Sequence, residues 1–303
     1  MSDTLQTIGI VMPGDMGHAC GAVLRQYGFT VVTALSGRSR RTRMLSEQAE
    51  IQDLELLNEV VRQSDLILSI LPPQHAYEMA ETIAGIMQKT NNYPDFADCN
   101  AISPNTVLRI SKLFDVLPTQ FIDGGIVGLN PIKEKEQTRL YVSGENLGLI
   151  SQMDGKGLKV KSVGSKIGQA STLKMLYASA TKGAFSLFAT VAVMSELTGL
   201  RDELFSEFSF SKPDILNNIN HMVPRIPVDA ARWMHEMDEI SDTYRQFGMT
   251  PKFHEGAKEL MHIADRTPLS SETRETLSEG YEIEEVLKMY KEALKPNQWA
   301  DHK

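Results

Sequence analysis

The sequence predicts an α/β protein in which a doubly wound sheet domain over residues 1–164 is followed by an all-α domain over residues 165–303. Up to Gly164, short β-rich runs alternate with helical patterns, which is typical of strands and crossover helices in a parallel sheet. After Gly164, small and apolar residues recur at helical spacing from Ser165 to about Gly199, with no proline between them.

Composition narrows the class of protein. The 303 residues are 42% hydrophobic and 23% charged, as in ordinary globular proteins. A formal net charge of −8 disfavours extended nucleic-acid binding. The sequence lacks an uninterrupted apolar run of about 18 residues and a secretory signal pattern. The two cysteines, Cys20 and Cys99, are too few for a disulfide framework. We expect a cytoplasmic protein whose partner is a small molecule, not nucleic acid or a membrane.

Strands and helices alternate through residues 1–164. The predicted strands Thr7–Met12 and Leu66–Leu71 are nearly continuous apolar runs, as expected of parallel strands covered on both faces. The other predicted strands are Thr30–Leu35, Asp95–Asn100, Phe121–Val127, Thr138–Ser143 and Lys159–Val163. The predicted helices are Gly17–Tyr27, Asp53–Gln63, Gln74–Lys89 and Pro104–Leu117.

The second domain is predicted to begin with a long interdomain helix over residues 165–199. At about 1.5 Å per residue it would span about 50 Å, which is more than one small domain covers. Because apolar residues surround much of this helix, we expect a homodimer. The further predicted helices are Arg201–Phe208, Asp214–Val223, Pro227–Phe247, Lys252–Asp265 and Tyr281–Leu294.

A candidate dinucleotide site follows the first strand. The fingerprint G-x-G-x-x-G is represented by Met12-Pro13-Gly14-Asp15-Met16-Gly17, with methionine at the first glycine position. Gly14 would let the backbone approach a pyrophosphate, and Gly17 would let the helix pack on the strand. Two glycines at this spacing also occur in ordinary strand–helix turns, but their place in the first unit favours a cofactor site.

The end of the second strand favours NADP over NAD. An acidic residue that would bind the ribose hydroxyls of NAD is missing there, and four arginines fall within residues 38–43. The Arg38 guanidinium and the hydroxyls of Ser36 and Ser39 are candidates for a 2′-phosphate. The alternative is a solvated basic start of a helix, which would oppose the helix dipole unless an anion is bound.

Further motifs follow in order along the chain. They are Leu71-Pro72-Pro73 with Ala76, Asp98-Cys99-Asn100-Ala101-Ile102-Ser103-Pro104, Asp123-Gly124-Gly125 and, on the long helix, Lys174. With the glycine-rich turn, this pattern resembles the β-hydroxyacid dehydrogenase superfamily, which includes 3-hydroxyisobutyrate and 6-phosphogluconate dehydrogenases. Within it, the segment Arg232–Ile240 is similar to a branch with a C-terminal helical domain of unassigned function. The resemblance implies a Rossmann-type sheet domain and a helical substrate and dimerisation domain.

The resemblance also implies roles for individual residues. Lys174 stands at the position of the family's catalytic lysine, where it would hand a proton to or from substrate. The candidate cofactor residues are Gly14, Asp15, Met16, Gly17, Ser36, Arg38, Ser39, Leu71, Pro72, Pro73, Ala76 and Asn100. The candidate substrate residues are Asn100, Gly124, Gly125 and Tyr177. Read from the helical pattern alone, Lys174 is a surface lysine and Tyr177 a core tyrosine with its hydroxyl at the rim.

The sequence departs from the family pattern at several positions. Tyr177 and Ala178 replace a pair of asparagines, and Val127 replaces the serine of the substrate loop. Thr181 stands where 6-phosphogluconate dehydrogenase has a glutamate acid, which disfavours oxidative decarboxylation of 6-phosphogluconate. Outside the motifs, we interpret Lys182 as a solvated lysine. Arg232, His235, Glu236 and Glu239 form a stripe that is expected to be a solvated face.

These observations predict an NADP-dependent oxidoreductase that transfers hydride between the nicotinamide and a small hydroxy acid or related carbonyl compound, with Lys174 as general acid and base. One alternative is an NADPH-dependent ketone or imine reductase, which Val127 favours. Another is a non-catalytic NADP-binding redox sensor, which would need neither Lys174 nor the Asn100 loop. No metal is expected, because the histidines are not paired at ligand spacing: His18, His75, His221, His254 and His262.

Overall fold

The computed structural model describes residues 4–132, 138–277 and 281–294. The described residues divide into two compact units, one ending at Tyr177 and the other beginning at Ala178. The first unit is a mixed α/β domain and the second is all-α, as predicted. The domain boundary was predicted at residue 164, whereas the last strand ends at Ser162 and the compact first unit extends to Tyr177, which includes the start of the long helix.

The first unit is built on one eight-stranded sheet, and its strand order is β3-β2-β1-β4-β5-β6-β7-β8. The strands are β1 (Thr7–Val11), β2 (Thr30–Thr33), β3 (Gln52–Asp53), β4 (Leu66–Ser69), β5 (Asp95–Asp98), β6 (Phe121–Val127), β7 (Arg139–Ser143) and β8 (Lys159–Ser162). The helices are α1 (Asp15–Gln26), α2 (Arg40–Gln48), α3 (Leu57–Gln63), α4 (Ala76–Thr90) and α5 (Pro104–Ser111). Strands β1 to β6 are parallel, while β7 runs antiparallel to β6.

Two apolar cores cover the two faces of this sheet. Ile10 and Leu68 lie in the core on one face, and Val11 and Ile67 lie in the core on the other. Neighbouring residues of one strand therefore point into different cores, because side chains alternate across a strand. This confirms that β1 and β4 are buried on both faces.

The sequence did not predict strand β3, which has only two residues, or helix α2. The predicted helix over Asp53–Gln63 begins later, at Leu57. The Asp53 carboxylate accepts hydrogen bonds from the N–H groups of Leu35 and Glu55, which holds this segment in an extended turn. Helix α2 begins inside the arginine cluster, because Ser39 caps its N-terminus by accepting a hydrogen bond from Thr42 N–H at 3.2 Å.

The second unit packs its helices around a core that contains Trp233, Met261 and Tyr290. Its helices are the greater part of α6 (Gln169–Thr198), α7 (Arg201–Ser211), α8 (Pro213–Met222), α9 (Ile226–Gln246), α10 (Lys252–Asp265) and α11 (Ile283–Glu292). Among the residues described, α6 alone is long and apolar enough to cross a membrane, a property that core helices of soluble proteins share.

The expectation of a solvated stripe on α9 is wrong at Glu236. This side chain is 1% exposed and accepts hydrogen bonds from Lys182 and Arg232. The expectation that Lys182 is solvated is also wrong, because its side chain is only 13% exposed and forms an ion pair with Glu236. Two cations compensate the cost of burying this carboxylate, and Lys182 also lies over the Trp233 ring.

The start of α6 differs from the prediction of Ser165. The helix begins at Gln169, because Gly164 and Gly168 adopt positive φ angles of 139° and 99° that interrupt a helix. Its length is therefore about 45 Å rather than 50 Å. Lys174 lies five residues after the start, instead of nine.

Asp123 fastens this helix to the sheet. Its buried carboxylate accepts hydrogen bonds from the N–H groups of Gly168 (2.8 Å), Ala170 (3.0 Å) and Ser171 (3.2 Å). It also accepts hydrogen bonds from the hydroxyls of Ser171 (2.6 Å) and Ser143 (2.8 Å). A carboxylate at this end of a helix satisfies free N–H groups and favours the helix dipole.

We expect Asp123→Asn to lower the free energy of unfolding by about 2–4 kcal/mol, because the amide N–H groups of asparagine would face buried donors. Urea unfolding followed by circular dichroism measures this loss. Asp154→Asn is the control, since that exposed carboxylate accepts one hydrogen bond, from Val160 N–H. It should cost less than about 1 kcal/mol. Equal losses in the two variants would contradict the anchoring role of Asp123.

Candidate functional site

The predicted cofactor residues lie at one edge of the sheet. Because β1 to β6 are parallel, their carboxyl ends share this edge. The chain passes from β1 to β2 on one side and later returns to β4 on the other side of β1. Such a switch point opens a crevice outside the carboxyl ends of the strands, where open α/β sheets bind their ligands.

The turn after β1 has the geometry of a phosphate-binding turn. Met12, at the position of the first fingerprint glycine, adopts a positive φ of 55°. Gly14 N–H donates to the Met12 carbonyl at 2.7 Å, and Gly14 is the N-cap of α1. The first N–H groups of α1, including those of Asp15, Met16 and Gly17, then face outward, where they suit an anion.

The two glycines of this turn have different roles. A Cβ atom on Gly17 would lie 3.3 Å from Ile10 Cγ2, so the close packing of α1 against β1 favours a glycine. A Cβ atom on Gly14 would meet only the Met12 carbonyl oxygen, at 4.0 Å. The space beside Gly14 therefore lies outside the protein's own packing, which is what the close approach of a pyrophosphate to the backbone would require.

The structure assigns separate tasks to the clustered arginines. Arg43 donates to the carbonyl oxygens of Leu35 and Arg38, which fastens the turn after β2. Arg41 forms an ion pair with Asp15 and so connects α2 to the first turn of α1. Asp15, predicted to touch the cofactor, thus has a protein partner.

The side chain of Arg38 indicates a binding position for a further anion. Its Nε atom is buried and has no hydrogen-bond partner in the described part of the chain. Buried donors are almost always satisfied, so an unpaired guanidinium N–H indicates a missing acceptor. Ser36 and Ser39 are exposed beside it, and the Ser39 oxygen already caps α2. Ser39 Oγ also lies 3.0 Å from Thr42 Oγ1, and either hydroxyl can be the donor in that hydrogen bond.

The side-chain amide of Asn100 is hydrogen-bonded within the protein. Its Oδ1 accepts the N–H of Leu71 at 2.7 Å, and its Nδ2 donates to Ser69 Oγ and Asp98 Oδ2, both at 3.0 Å. Both amide hydrogens are thereby used. The side chain joins the carboxyl ends of β4 and β5, and we infer that it positions the Leu71–Pro73 loop.

The loop after β4 exposes only part of the predicted set. Pro72 is half-buried, while Leu71 and Pro73 are buried. Ala76 begins α4 and is fully buried, so its methyl group packs into the core on that face. Of these four residues, Pro72 has the accessible side chain.

Close packing explains the two glycines of β6. A Cβ atom on Gly124 would lie 2.8 Å from Cys99 Sγ, and one on Gly125 would lie 3.0 Å from Lys174 Cβ. Both residues belong to the ladder with β7. Gly125 lets α6 lie against the sheet, and Gly124 lets the chain after β5 pack closely on β6. These tasks differ from the predicted presentation of N–H groups to a substrate carboxylate.

Lys174 lies directly over β6. Its Nζ donates a hydrogen bond to the carbonyl oxygen of Ile126, near the carboxyl end of the strand. Tyr177, three residues further along α6, is 44% exposed, and Val127 is 2% exposed and supplies no hydroxyl. The predicted lysine is thus held at the same sheet edge as the glycine-rich turn.

Sequence reasoning did not assign the anchoring role of Asp123 or any role to His18. The pair Asp123-Gly124 was visible as a motif, but its partners Ser143 and Ser171 are distant in sequence. Burial raises the pKa of Asp123, while the hydrogen bonds from Ser171, Ser143 and Gly168 act in the opposite direction. His18 Nδ1 lies 2.8 Å from the Gly14 carbonyl oxygen, inside the phosphate-binding turn.

The helical unit contains its own buried polar cluster. Ser179 Oγ lies 2.7 Å from Tyr244 Oη and 2.8 Å from His254 Nε2, which connects α6, α9 and α10. Burial lowers the pKa of His254. Across residues 4–132, 138–277 and 281–294, no three His, Cys, Asp or Glu side chains are grouped as metal ligands.

Two protein families match this chain. Residues 7–149 match the NAD binding domain of 6-phosphogluconate dehydrogenase, and residues 196–263 match a domain of unknown function, DUF1932. An uncharacterized 28.5 kDa protein of Methanothermus fervidus is 28% identical over 174 residues. That alignment covers 57% of this chain and 65% of the relative, so the chain matches somewhat less than two thirds of the relative's length.

Solved structures share the fold. The 3-hydroxyisobutyrate dehydrogenase of Mycobacterium tuberculosis, solved with L-serine, is 15% identical with a TM-score of 0.62 and covers 94% of this chain and 99% of its own. An imine reductase from Myxococcus stipitatus, solved with NAD+, is 14% identical with a TM-score of 0.55 and covers 90% of this chain and 98% of its own. At these identities the similarity is one of fold.

Proposed function

We propose that this chain, whose residues 7–149 match the NAD binding domain of 6-phosphogluconate dehydrogenase, is an NADP-dependent oxidoreductase of the β-hydroxyacid dehydrogenase group with a C-terminal helical domain. Its substrate would be a small hydroxy acid or a related carbonyl compound. The observation that carries the proposal is the placement of Lys174 against Ile126, at the carboxyl edge of the sheet that forms the dinucleotide crevice.

Lys174 would handle the proton of the reaction. When bound, a nicotinamide cofactor would accept a hydride from a carbinol carbon or supply one to the corresponding carbonyl carbon. In the reducing direction the Lys174 ammonium would give a proton to the substrate oxygen, and in the oxidising direction its neutral amine would take that proton. The hydrogen bond to the Ile126 carbonyl and the anchor at Asp123 would hold the amine in place.

The arginine cluster supports the choice of NADP. Arg41 pairs with Asp15 through its Nη2 atom and Arg43 donates to backbone carbonyls, while the buried Nε atoms of Arg38 and Arg41 have no hydrogen-bond partner in the described part of the chain. A 2′-phosphate would satisfy the Arg38 donor by a charge-assisted hydrogen bond. On a chain with a net charge of −8, such a local cationic site is what an anionic cofactor requires.

Reduction of a ketone or imine without a carboxylate is the second candidate. Buried Val127 favours it, because this residue cannot offer a hydroxyl to a substrate acid. A turnover assay with NADPH against hydroxy acids, ketones and imines separates the two. NADP binding without turnover of any of these would indicate a redox sensor.

The cysteines are buried free thiols, which supports our proposal of a reducing cytoplasmic location.

We expect Arg38→Ala to weaken NADP binding by about 1.5–3 kcal/mol, the range for a hydrogen bond to a charged group. NAD binding should change little, because NAD lacks the 2′-phosphate. Fluorescence titration with both cofactors measures the difference. Arg62→Ala is the control, since Arg62 pairs with Glu59 on α3. If the wild type bound both cofactors equally, the assignment of NADP would be wrong.

Lys174→Ala should reduce turnover about 10²–10⁴-fold while NADP still binds, because only the proton-handling group is lost. The comparison of kcat with the cofactor dissociation constant tests this. Lys166→Ala, at an exposed position just before α6, should retain wild-type turnover. Substantial activity in Lys174→Ala on an identified substrate would refute the mechanism, and Tyr177 would become the residue to test as the acid.

The exposed apolar residues of α6 support a homodimer. Leu187 and Met194 are 48% and 50% exposed, seven residues apart on one helix face. We expect light scattering at micromolar concentration to give about twice the 33.8 kDa of one chain. Leu187→Glu with Met194→Lys should shift the protein toward a monomer, while Val116→Glu, on the sheet unit, should not. A monomeric wild type would contradict this proposal.

A further inference from the structure

Strand β7 begins at the same edge of the sheet that holds Lys174. It runs antiparallel to β6, and its first residue, Arg139, is the register partner of Val127, the last residue of β6. Directly opposite residues of antiparallel strands have their Cα atoms about 4.5–5.5 Å apart. Lys174 donates to the carbonyl oxygen of Ile126, the residue before Val127. The backbone of Arg139 is therefore opposite the residue that follows the hydrogen-bond acceptor of Lys174.

The side chain of Arg139 is on the face of the sheet that carries α6. Gly125 faces α6, because a Cβ atom there would lie 3.0 Å from Lys174 Cβ. Val127 comes two residues later and is on the same face, as is Arg139 opposite it. Leu140, the next residue of β7, packs into the core on the other face. Arg139 and Lys174 thus share one edge and one face of the sheet.

A second cation follows in the same row. Lys159, the first residue of β8, is the register partner of Arg139, and Val160 after it packs against the core on the other face. Lys159 is exposed and has no ion-pair partner among the residues that the structure describes. Like charges directly opposite each other on neighbouring strands repel, so an anion beside both is favoured.

Hydrogen bonds hold the start of β7 in this position. The buried Thr138 donates its hydroxyl hydrogen to the Leu129 carbonyl oxygen at 2.6 Å, and its own carbonyl oxygen accepts the N–H of Lys159 at 3.0 Å. These bonds tie the chain before β7 to the chain after β6 and to β8. Arg139 is therefore presented from a fixed strand, as a residue that orients a ligand should be.

We propose that Arg139 binds the carboxylate of the substrate and is the residue that selects acids over neutral ketones and imines, with Lys159 adding positive charge beside it. The inference rests on the proposed oxidoreductase function and names its substrate class. The guanidinium offers two parallel N–H groups to the two oxygens of a carboxylate. These donors take the place of the hydroxyl that Val127 cannot supply. A substrate bound by Arg139 and Lys174 is fixed at two points.

The test compares malonate with malonamide, which has the same carbon skeleton but no charge. Isothermal titration calorimetry of the full chain, saturated with NADP and at constant ionic strength, measures their binding. The cofactor fills the phosphate-binding turn, so malonate bound there is not counted. Lys161→Gln is the matched control. Lys161 is also an exposed lysine of β8 on the α6 face, but it is opposite Tyr141 and two residues further from the edge.

Arg139→Gln should weaken malonate binding about 10–100-fold, the effect of losing hydrogen bonds to a charged group, and leave malonamide binding unchanged. Lys159→Gln should weaken malonate binding about 2–5-fold, as expected of an exposed charge. Lys161→Gln should behave as the wild type. On an identified acid substrate, Arg139→Gln should mainly raise KM, whereas Lys174→Ala should lower kcat.

Wild-type affinity for malonate in Arg139→Gln would overturn the inference, as would a wild type that binds malonate no better than malonamide. If Arg139→Gln fails to fold, as judged by circular dichroism, Arg139→Lys decides. That variant keeps the charge and loses the planar fork, so it should bind malonate about 3–10-fold more weakly, and wild-type affinity would overturn the inference. A wild type that binds neither NADP nor NAD would instead refute the proposed function, so the two failures are distinct.

Discussion

The position of the candidate site depends on one buried carboxylate. Asp123 lies in β6 and accepts hydrogen bonds from the first N–H groups of α6, so the helix can start at only one place along the strand. Gly125, two residues further along, lets Ala170 and Lys174 approach within van der Waals contact. The Lys174 amine then reaches the Ile126 carbonyl. A helix cap thereby determines where the proposed acid and base is held.

The predicted cofactor residues lie at the carboxyl edge of the sheet, where a protein of net negative charge has a local group of cations. Two of the four local arginines are already engaged, since Arg41 pairs with Asp15 and Arg43 binds backbone carbonyls. These contacts order the turn after β2 and connect it to α1. What remains for a ligand is the free helix N-terminus beside Gly14 and the unpaired donor of Arg38. Selective binding requires both that some side chains, here Arg41 and Arg43, hold the site rigid and that another, here Arg38, is available to the ligand.

The helical unit buries charge as well as apolar surface. Glu236 on α9 is neutralised by Lys182 and Arg232, and Ser179, Tyr244 and His254 form a second polar contact between helices. Breaking such a buried pair leaves an uncompensated charge, which is far more costly than losing a surface pair. These contacts define how α6, α9 and α10 fit together within the unit.

The sequence by itself determined the α/β class, the two-part organisation and the place of the glycine-rich turn. Continuous apolar runs and uninterrupted helical periodicity are local patterns, so they can be recognised in the sequence without the structure. The strand Phe121–Val127, for example, was predicted at its observed bounds. The roles of Lys174 and of the cofactor residues came from resemblance to a known superfamily. Only the tertiary structure decided which polar side chains serve the protein's own packing. The amide of Asn100, which was predicted to contact ligand, forms hydrogen bonds with Leu71, Ser69 and Asp98. Glu236, which was predicted to be solvated, is buried in ion pairs with Lys182 and Arg232. The physical reason is that hydrogen-bond satisfaction depends on partners distant in sequence, so neither Asp123 as the anchor of α6 nor the true start of that helix was readable from local pattern.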